Sequence, residues 1–230
     1  MNNDTDRDLI ISGVAEMSGG TYRCVRVDGV GKIRGNLECT EYICNGRATV
    51  DGSVRAEKAE INGTALITGS VSATRMRVNG SSRIGGILQG EEVEINGEVK
   101  INGGCEAETF RASGGFRLNG MLNADTVDIH LYGRCAVKEI GGGTITVRAM
   151  QPWSLASALL RPFYDCRLAA DVIEGDNVTL ERTKAKTVRG NQVTIGPGCV
   201  IECVEYRTDL KVSENAKVIR HEKLPSGGDT

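Results

Sequence analysis

The stretch AEINGTALITGSVSA, residues 59–73, decides how the chain folds. Its Asn62-Gly63 pair lies between short runs in which apolar and polar residues alternate. Alone, that is the strongest local signal for a β-hairpin closed by a type I′ turn. The copies on either side reverse that reading. Asp28-Gly29, Asn45-Gly46, Asn62-Gly63, Asn79-Gly80, Asn96-Gly97 and Ser113-Gly114 start 17 residues apart. A second glycine column, Gly35 to Gly120, keeps the same step, as does the aliphatic column Ile33, Val50, Ile67, Ile84, Ile101 and Leu118. Coupled columns of this kind mark a repeat protein.

Within a unit the apolar positions alternate with period two, as in strands, and fall into three groups: 59 and 61, 65 and 67, 71 and 73. The groups are separated by Asn62-Gly63, Thr68-Gly69 and Thr74-Arg75, which predicts three strands and three corners per unit. An up-and-down meander with an odd number of strands would invert every second unit, and the columns would not align. A coil that winds on in one direction aligns them, each unit about 4.8 Å above the last. The expected fold is all-β: a parallel β-helix, or solenoid, with about 17 residues per coil. Glycine then supplies left-handed or crowded corner conformations. Asn45, Asn62, Asn79 and Asn96 are placed to stack as an amide ladder. The outward column Glu60, Arg77, Glu94, Arg111 and Asp128 alternates in sign, so neighbours one rung apart attract.

Composition agrees with such a rod. Among 230 residues there are 30 glycines but only 4 prolines, and aromatic residues make up 4%, too few for a core built on large rings. With 28 basic and 30 acidic residues, charge gives no reason to expect nucleic acid as a partner. No apolar run approaches a membrane span and MNNDTDRDLIISG has no signal-peptide pattern, which predicts a cytoplasmic protein. Its eight cysteines are then reduced thiols. Cys39, Cys44, Cys105 and Cys135 fall in inward columns as small hydrophobes, and Cys24 falls in an outward one, the candidate for a reactive thiol. No CxxC pair occurs and only two histidines are present, so no metal site is expected.

The pattern divides the chain. Residues 1–9 and 221–230 read as disordered tails, and 10–147 as the regular helix. Residues 148–170 read as an insert with a short helix or loop around Trp153, Leu155, Leu159, Leu160 and Phe163. Residues 171–220 read as further coils with looser spacing. The apolar insert either folds back on its own rod, docks a partner protein, or touches a membrane surface. Searching for chemistry yields no catalytic constellation. Ile195-Gly196-Pro197-Gly198 is similar to one unit of a hexapeptide acyltransferase but is solitary, and neither His130 nor His221 stands in an array with acidic partners. The outward acids Glu57, Glu91, Glu108 and Asp125, a polysaccharide-lyase-like column, are interrupted by Thr74. Lys32, Arg83, Lys100 and Arg117 form a mild basic stripe. No enzyme activity and no cofactor are expected; the alternative of a β-helix enzyme, acyltransferase or polysaccharide-acting, stays open.

A β-helix has two open ends whose strands have unpaired N–H and C=O groups, usually blocked by a cap. The first rung here, LIISG at 9–13, is apolar rather than cap-like. End-to-end contact through Leu9, Ile10, Ile11, Val25 and Val27 at one end and Leu210, Val212 and Val218 at the other would give an open polymer.

The units VDGVGKIRGNLEC (27–39), CNGRATVDGSVRA (44–56), INGTALITGSVSA (61–73) and INGEVKINGGCEA (95–107) resemble the bactofilins, bacterial polymer-forming cytoskeletal proteins. The resemblance implies a right-handed parallel β-helix with a hydrophobic core. It also implies nucleotide-independent, head-to-tail homopolymers that act as scaffolds, localising protein clients of the cell envelope, shape, division or motility. The chain departs from that pattern by being longer, with a β-rich part after the insert, and by having no recognisable N-terminal membrane-targeting motif. The inner face of the cell membrane is therefore a second expected location, without a known anchor. The runner-up is a non-polymerising adaptor that docks a partner through the Trp153 segment.

Overall fold

A computed structural model describes residues 7–149 and 166–225. The insert residues Trp153, Leu155, Leu159, Leu160 and Phe163 lie outside them. All regular structure in the described residues is strand, and all pairing is parallel. The chain opens with β1 (Leu9–Ile11), β2 (Val14–Val27) and β3 (Val30–Cys44). Short strands then alternate with long ones. The short strands are β4 (Arg47–Asp51), β6 (Thr64–Ile67), β8 (Ser81–Ile84), β10 (Glu98–Ile101), β12 (Gly115–Leu118) and β14 (Cys135–Ala136). The long ones are β5 (Val54–Ile61), β7 (Val71–Val78), β9 (Leu88–Ile95), β11 (Cys105–Ala112), β13 (Met121–Leu131) and β15 (Glu139–Ala149). Four continuous strands close the chain: β16 (Leu168–Leu180), β17 (Thr183–Ile195), β18 (Val200–Val212) and β19 (Lys217–Lys223).

Each strand pairs with its equivalent one coil on. Ala59 faces Met76, which faces Val93, which faces Phe110, so the 17-residue step is the register of a parallel β-solenoid. The third corner differs from expectation. Thr74-Arg75 lies inside β7, so a coil of the regular array has two strands rather than three. Two consecutive exposed residues break the in–out alternation there, and in the equivalent pairing of β11 with β13 the ladder skips Glu108 and Asp125. The chain turns this corner by slipping one residue in phase without leaving the strand.

Of the two conformations expected of the corner glycines, the structure shows the crowded one and not the left-handed one. None of Gly29, Gly46, Gly63, Gly80, Gly97 or Gly114 has a positive φ; among the described glycines only Gly20, Gly35 and Gly198 do. A type I′ hairpin needs positive φ at both central residues, so its geometry is absent from these corners. What requires glycine is close approach. A Cβ built on Gly63 would land on the Gly46 carbonyl oxygen one coil below, and one built on Gly80 on that of Gly63. The hydrogen bonds show the same stacking. The amides of Asn62 and Gly63 both donate to the Cys44 carbonyl, at 2.8 and 2.9 Å, and Thr64 N–H donates to Gly46 at 2.8 Å. Every bond runs between coils.

Outside the corner the asparagines form the expected ladder. Asn96 donates to Asn79 at 3.0 Å, Asn79 to Asn62 at 2.7 Å and Asn62 to Asn45 at 2.9 Å. Asn45 donates to the Asp28 carboxylate at 2.7 Å, which ends the ladder and, with Arg26, holds Asp28 below the usual carboxylate range. The second corner has its own ladder, in which Ser53 N–H donates to Asn36, Ser70 N–H to Ser53 Oγ and Ile87 N–H to Ser70 Oγ.

The inward columns build one continuous core from Leu9 to Val204. Cys39, Cys44, Cys105 and Cys135 are all buried in it, and Phe110 meets Phe116 edge-on with ring centroids 5.4 Å apart. The residues after the insert continue the same ladder. Cys135 pairs with Leu168, Ile145 with Val178 and Val147 with Leu180. Strand runs to Ala149 before the insert and resumes at Leu168, and β19 reaches Lys223, so regular structure extends further than the expected boundaries at 147, 171 and 220. From Leu9 to Leu210 on one face the rod is about 50 Å long.

Candidate functional site: the two open ends

Taking the first face as that of Arg47–Asp51, the second as that of residues 54–56 and the third as that of residues 59–61, the first rung begins on the third face of the coil and the last ends on the second. β1 pairs with β2 only, and Val14–Ser18 of β2 pair with β3 only. At the far end β19 pairs with β18 only, and Asp209–Val212 pair with β17 only. Among the described residues, no cap covers any of these edges. The ends are staggered by one face in opposite senses: β1 stands proud on the third face, and Asp209–Val212 are left bare there.

The expected end contacts separate into three groups. Leu9 and Ile11 point into the core and are buried, whereas Ile10 between them is 60% exposed. Val25 and Val27 are fully enclosed beneath β1; the strand that supports the end cannot also be its contact surface. At the other end Leu210 and Val218 are half-buried and Val212 is exposed. Sequence reasoning missed Met17, Val14 and Ile219. Met17 pairs with Ile33, in the aliphatic column that is closed from Ile33 to Leu118, yet it is 40% exposed because no coil lies over it. The signal was present in the column, one residue out of step because the first coil is shorter.

The flanks carry less. A groove of about 630 Å³ runs over Gly141, Gly142, Gly175 and Gly190, but the arginines on its rim are already matched. Arg189 binds Glu205 at 2.5 Å and Glu174 at 3.5 Å, and Asn191 donates to Asp176 at 2.8 Å. His130 does have an acidic partner, contrary to expectation: its Nε2 lies 3.5 Å from Asp128, which Arg148 also approaches at 3.6 Å. The two side chains are two residues apart on one outward face of a strand, a spacing at which period-two alternation makes neighbours. Among the described residues, no three of His, Cys, Asp and Glu are grouped to hold a metal ion, and no helix is long and apolar enough to cross a membrane.

Six of the thiols are held above their ordinary value. Burial raises Cys39, Cys105 and Cys135 to about 12 and Cys44 and Cys199 to about 11. Cys24, the candidate reactive thiol, is also raised, by burial first and then by Glu41 and Asp8, the opposite of what a nucleophilic thiolate needs.

Comparison with known proteins bears on the whole rod. Residues 6–106 match the family described as "Bactofilin: Polymer-forming cytoskeletal". The uncharacterized protein YhbE of Bacillus subtilis is 53% identical over 239 aligned residues, which cover 96% of this chain and 100% of YhbE. The uncharacterized protein YhbF of the same organism is 44% identical over 88 residues, 38% of this chain and 34% of YhbF. No solved structure matches the chain.

Proposed function

Because the chain belongs to the bactofilin family of polymer-forming cytoskeletal proteins, we propose that it is a cytoplasmic scaffold subunit that joins end to end without nucleotide and positions client proteins along the filament. The observation that carries this reading is the complementary stagger of the two ends. Seated on the far end of another copy, β1 would fill the bare third face. Leu9 would then extend the column of Val193 and Leu210, and Ile11 that of Ile195 and Val212, while Met17 would cover Val218. Each junction repeats the parallel pairing found between coils and is heterologous, so the assembly stays open. Opposite charges meet at Glu16 and Lys217, and like charges at Asp8 and Asp209, so assembly depends little on salt.

Electron microscopy and sedimentation of the purified chain without nucleotide test this reading. Filaments are expected, and Val212→Asp or Met17→Asp is expected to abolish them while leaving circular dichroism and the melting temperature near those of the parent. A monodisperse monomer at every concentration and salt would overturn the proposal, as would filaments unaffected by both substitutions.

A further inference from the structure

The three faces of the rod differ in charge. On the first face, the outward positions are those in register with Arg47, Thr49 and Asp51. From Val14 to Ile219 they hold thirteen lysines and arginines against five acids, Glu16, Asp51, Glu98, Asp171 and Glu202. Four of those acids are already matched on the same face. Arg34 binds Glu16, Lys32 reaches Asp51 at 3.3 Å, Lys100 reaches Glu98 at 3.1 Å and Lys186 reaches Asp171 at 2.7 Å. One face therefore has a surplus of eight positive charges on a chain whose formal net charge is −2. Arg47, Arg83, Arg117, Lys184 and Lys217 are exposed there without an ion-pair partner among the described residues.

The same face is unusually apolar. Val14 is 87% exposed, Val30 47%, Leu66 37%, Val200 41% and Ile219 65%, all outward and interleaved with the cations. Between Arg117 and Lys184, Ala136 and Ala169 floor a hollow of about 470 Å³. The corner between the second and third faces is of opposite character, with Glu57, Glu91, Glu108, Asp125 and Asp176 outward.

We propose that the first face is a docking surface for an anionic lipid bilayer. Cations spaced along a straight β-face of about 50 Å match a plane of negative headgroups, and each lysine or arginine near such a surface adds attraction that salt screens. The exposed valine, leucine and isoleucine side chains reach the headgroup–acyl boundary, the arrangement that holds interfacial elements on membranes. The alanine-floored hollow has room for a headgroup between Arg117 and Lys184. This surface lies on the flank of the rod and leaves both ends open, so it serves a monomer or a filament.

Flotation of the full chain with vesicles of phosphatidylcholine alone, or of phosphatidylcholine with phosphatidylglycerol, tests the surface. Binding is expected only to the anionic vesicles and falls as salt rises. The triple variant Arg83→Glu, Lys100→Glu, Arg117→Glu is expected to lose roughly a hundredfold in vesicle affinity. Arg55→Glu with Arg111→Glu, on the other faces, is expected to keep it, and circular dichroism verifies that both variants fold. Equal binding to neutral vesicles, no binding to anionic ones, or equal loss in both variants would overturn the assignment. Salt-reversible bundling without lipid, abolished by the triple variant and unaccompanied by vesicle binding, would assign the face to the acidic corner of a second copy instead.

Discussion

The coils from Asp28 to Ile129 and those from Leu168 to Lys223 share one core and one pairing rule, yet only the first set keeps a strict 17-residue step. In the first set the corner is two residues with the glycine packed on the carbonyl below, so an inserted or deleted residue would break the stack. In the second set Val178 pairs with Val193, a step of 15. One residue is lost at the first corner, where Thr183 follows Leu180 after three positions instead of four, and one at the second. The first corners of two successive later coils turn through a left-handed backbone, Arg182 at φ 45° and Gly198 at φ 75°. The insert leaves and returns at this same corner, between Val147 and Leu168. A stacked corner fixes length, and a free-standing one accepts change.

Gly63→Ala, set against Gly143→Ala, should isolate the stacked corner most sharply. The added methyl collides with backbone, which cannot move without parting two coils, so a loss of about 3 kcal/mol or more is expected in urea unfolding. Gly143→Ala, beyond the array, brings its methyl to 3.2 Å from the Asp125 carbonyl alone. It should cost under about 1 kcal/mol. Equal losses would show that stacking at the Asn-Gly corner does not set the register.

How much of this was legible in the sequence follows from the same physics. Columns repeated at a fixed step report what lies above what, so the asparagine ladder, the inward cysteines and the parallel coil could be read without coordinates. A column does not report φ. Both a left-handed turn and a crowded backbone demand glycine, and the sequence looks the same for Gly63 either way. Nor does it distinguish a corner that ends a strand from one, like Thr74-Arg75, that bends it. At the ends the column logic reverses: Val25 and Val27 have the residues of an edge but lie one rung in, while Met17 has those of a core position and stands uncovered.

The buried thiols give a second, intermediate contrast. Their folded values lie above the ordinary value of 9, so below pH 9 both states are protonated and nothing is lost. As pH rises from 9 toward 12 the unfolded chain releases protons that the folded one keeps, and stability falls. Cys105 alone should account for about 1 kcal/mol between pH 8 and 10. Its column holds Val71 and Val54 one and two coils away from Leu88, so Cys105→Val fits, and it should flatten the pH dependence by that amount. Cys199→Val, in the later coils and with a smaller rise to about 11, should give the same flattening near pH 10 and less above pH 11. A pH dependence unchanged by either substitution would show that the thiols are not the titrating groups.

The smallest expected effect tests whether the ladder or the glycine holds the corner. Asn79→Ala removes two side-chain hydrogen bonds, one to Asn62 and one from Asn96, but both lie on the exposed side, where water takes their place. Each such bond contributes about 0.5–1 kcal/mol net, so a loss of about 1 kcal/mol is expected, well below that of Gly63→Ala. In the later coils Asn191→Ala, which breaks the bond to Asp176 at 2.8 Å and that from Arg207 at 3.3 Å, should cost about the same, because solvent exposure rather than regularity sets the size of the term. A loss at Asn79 rivalling that at Gly63 would mean that the amides form a cooperative file along the rod. In that case the ladder, and not backbone contact, would be what binds the array to its 17-residue step.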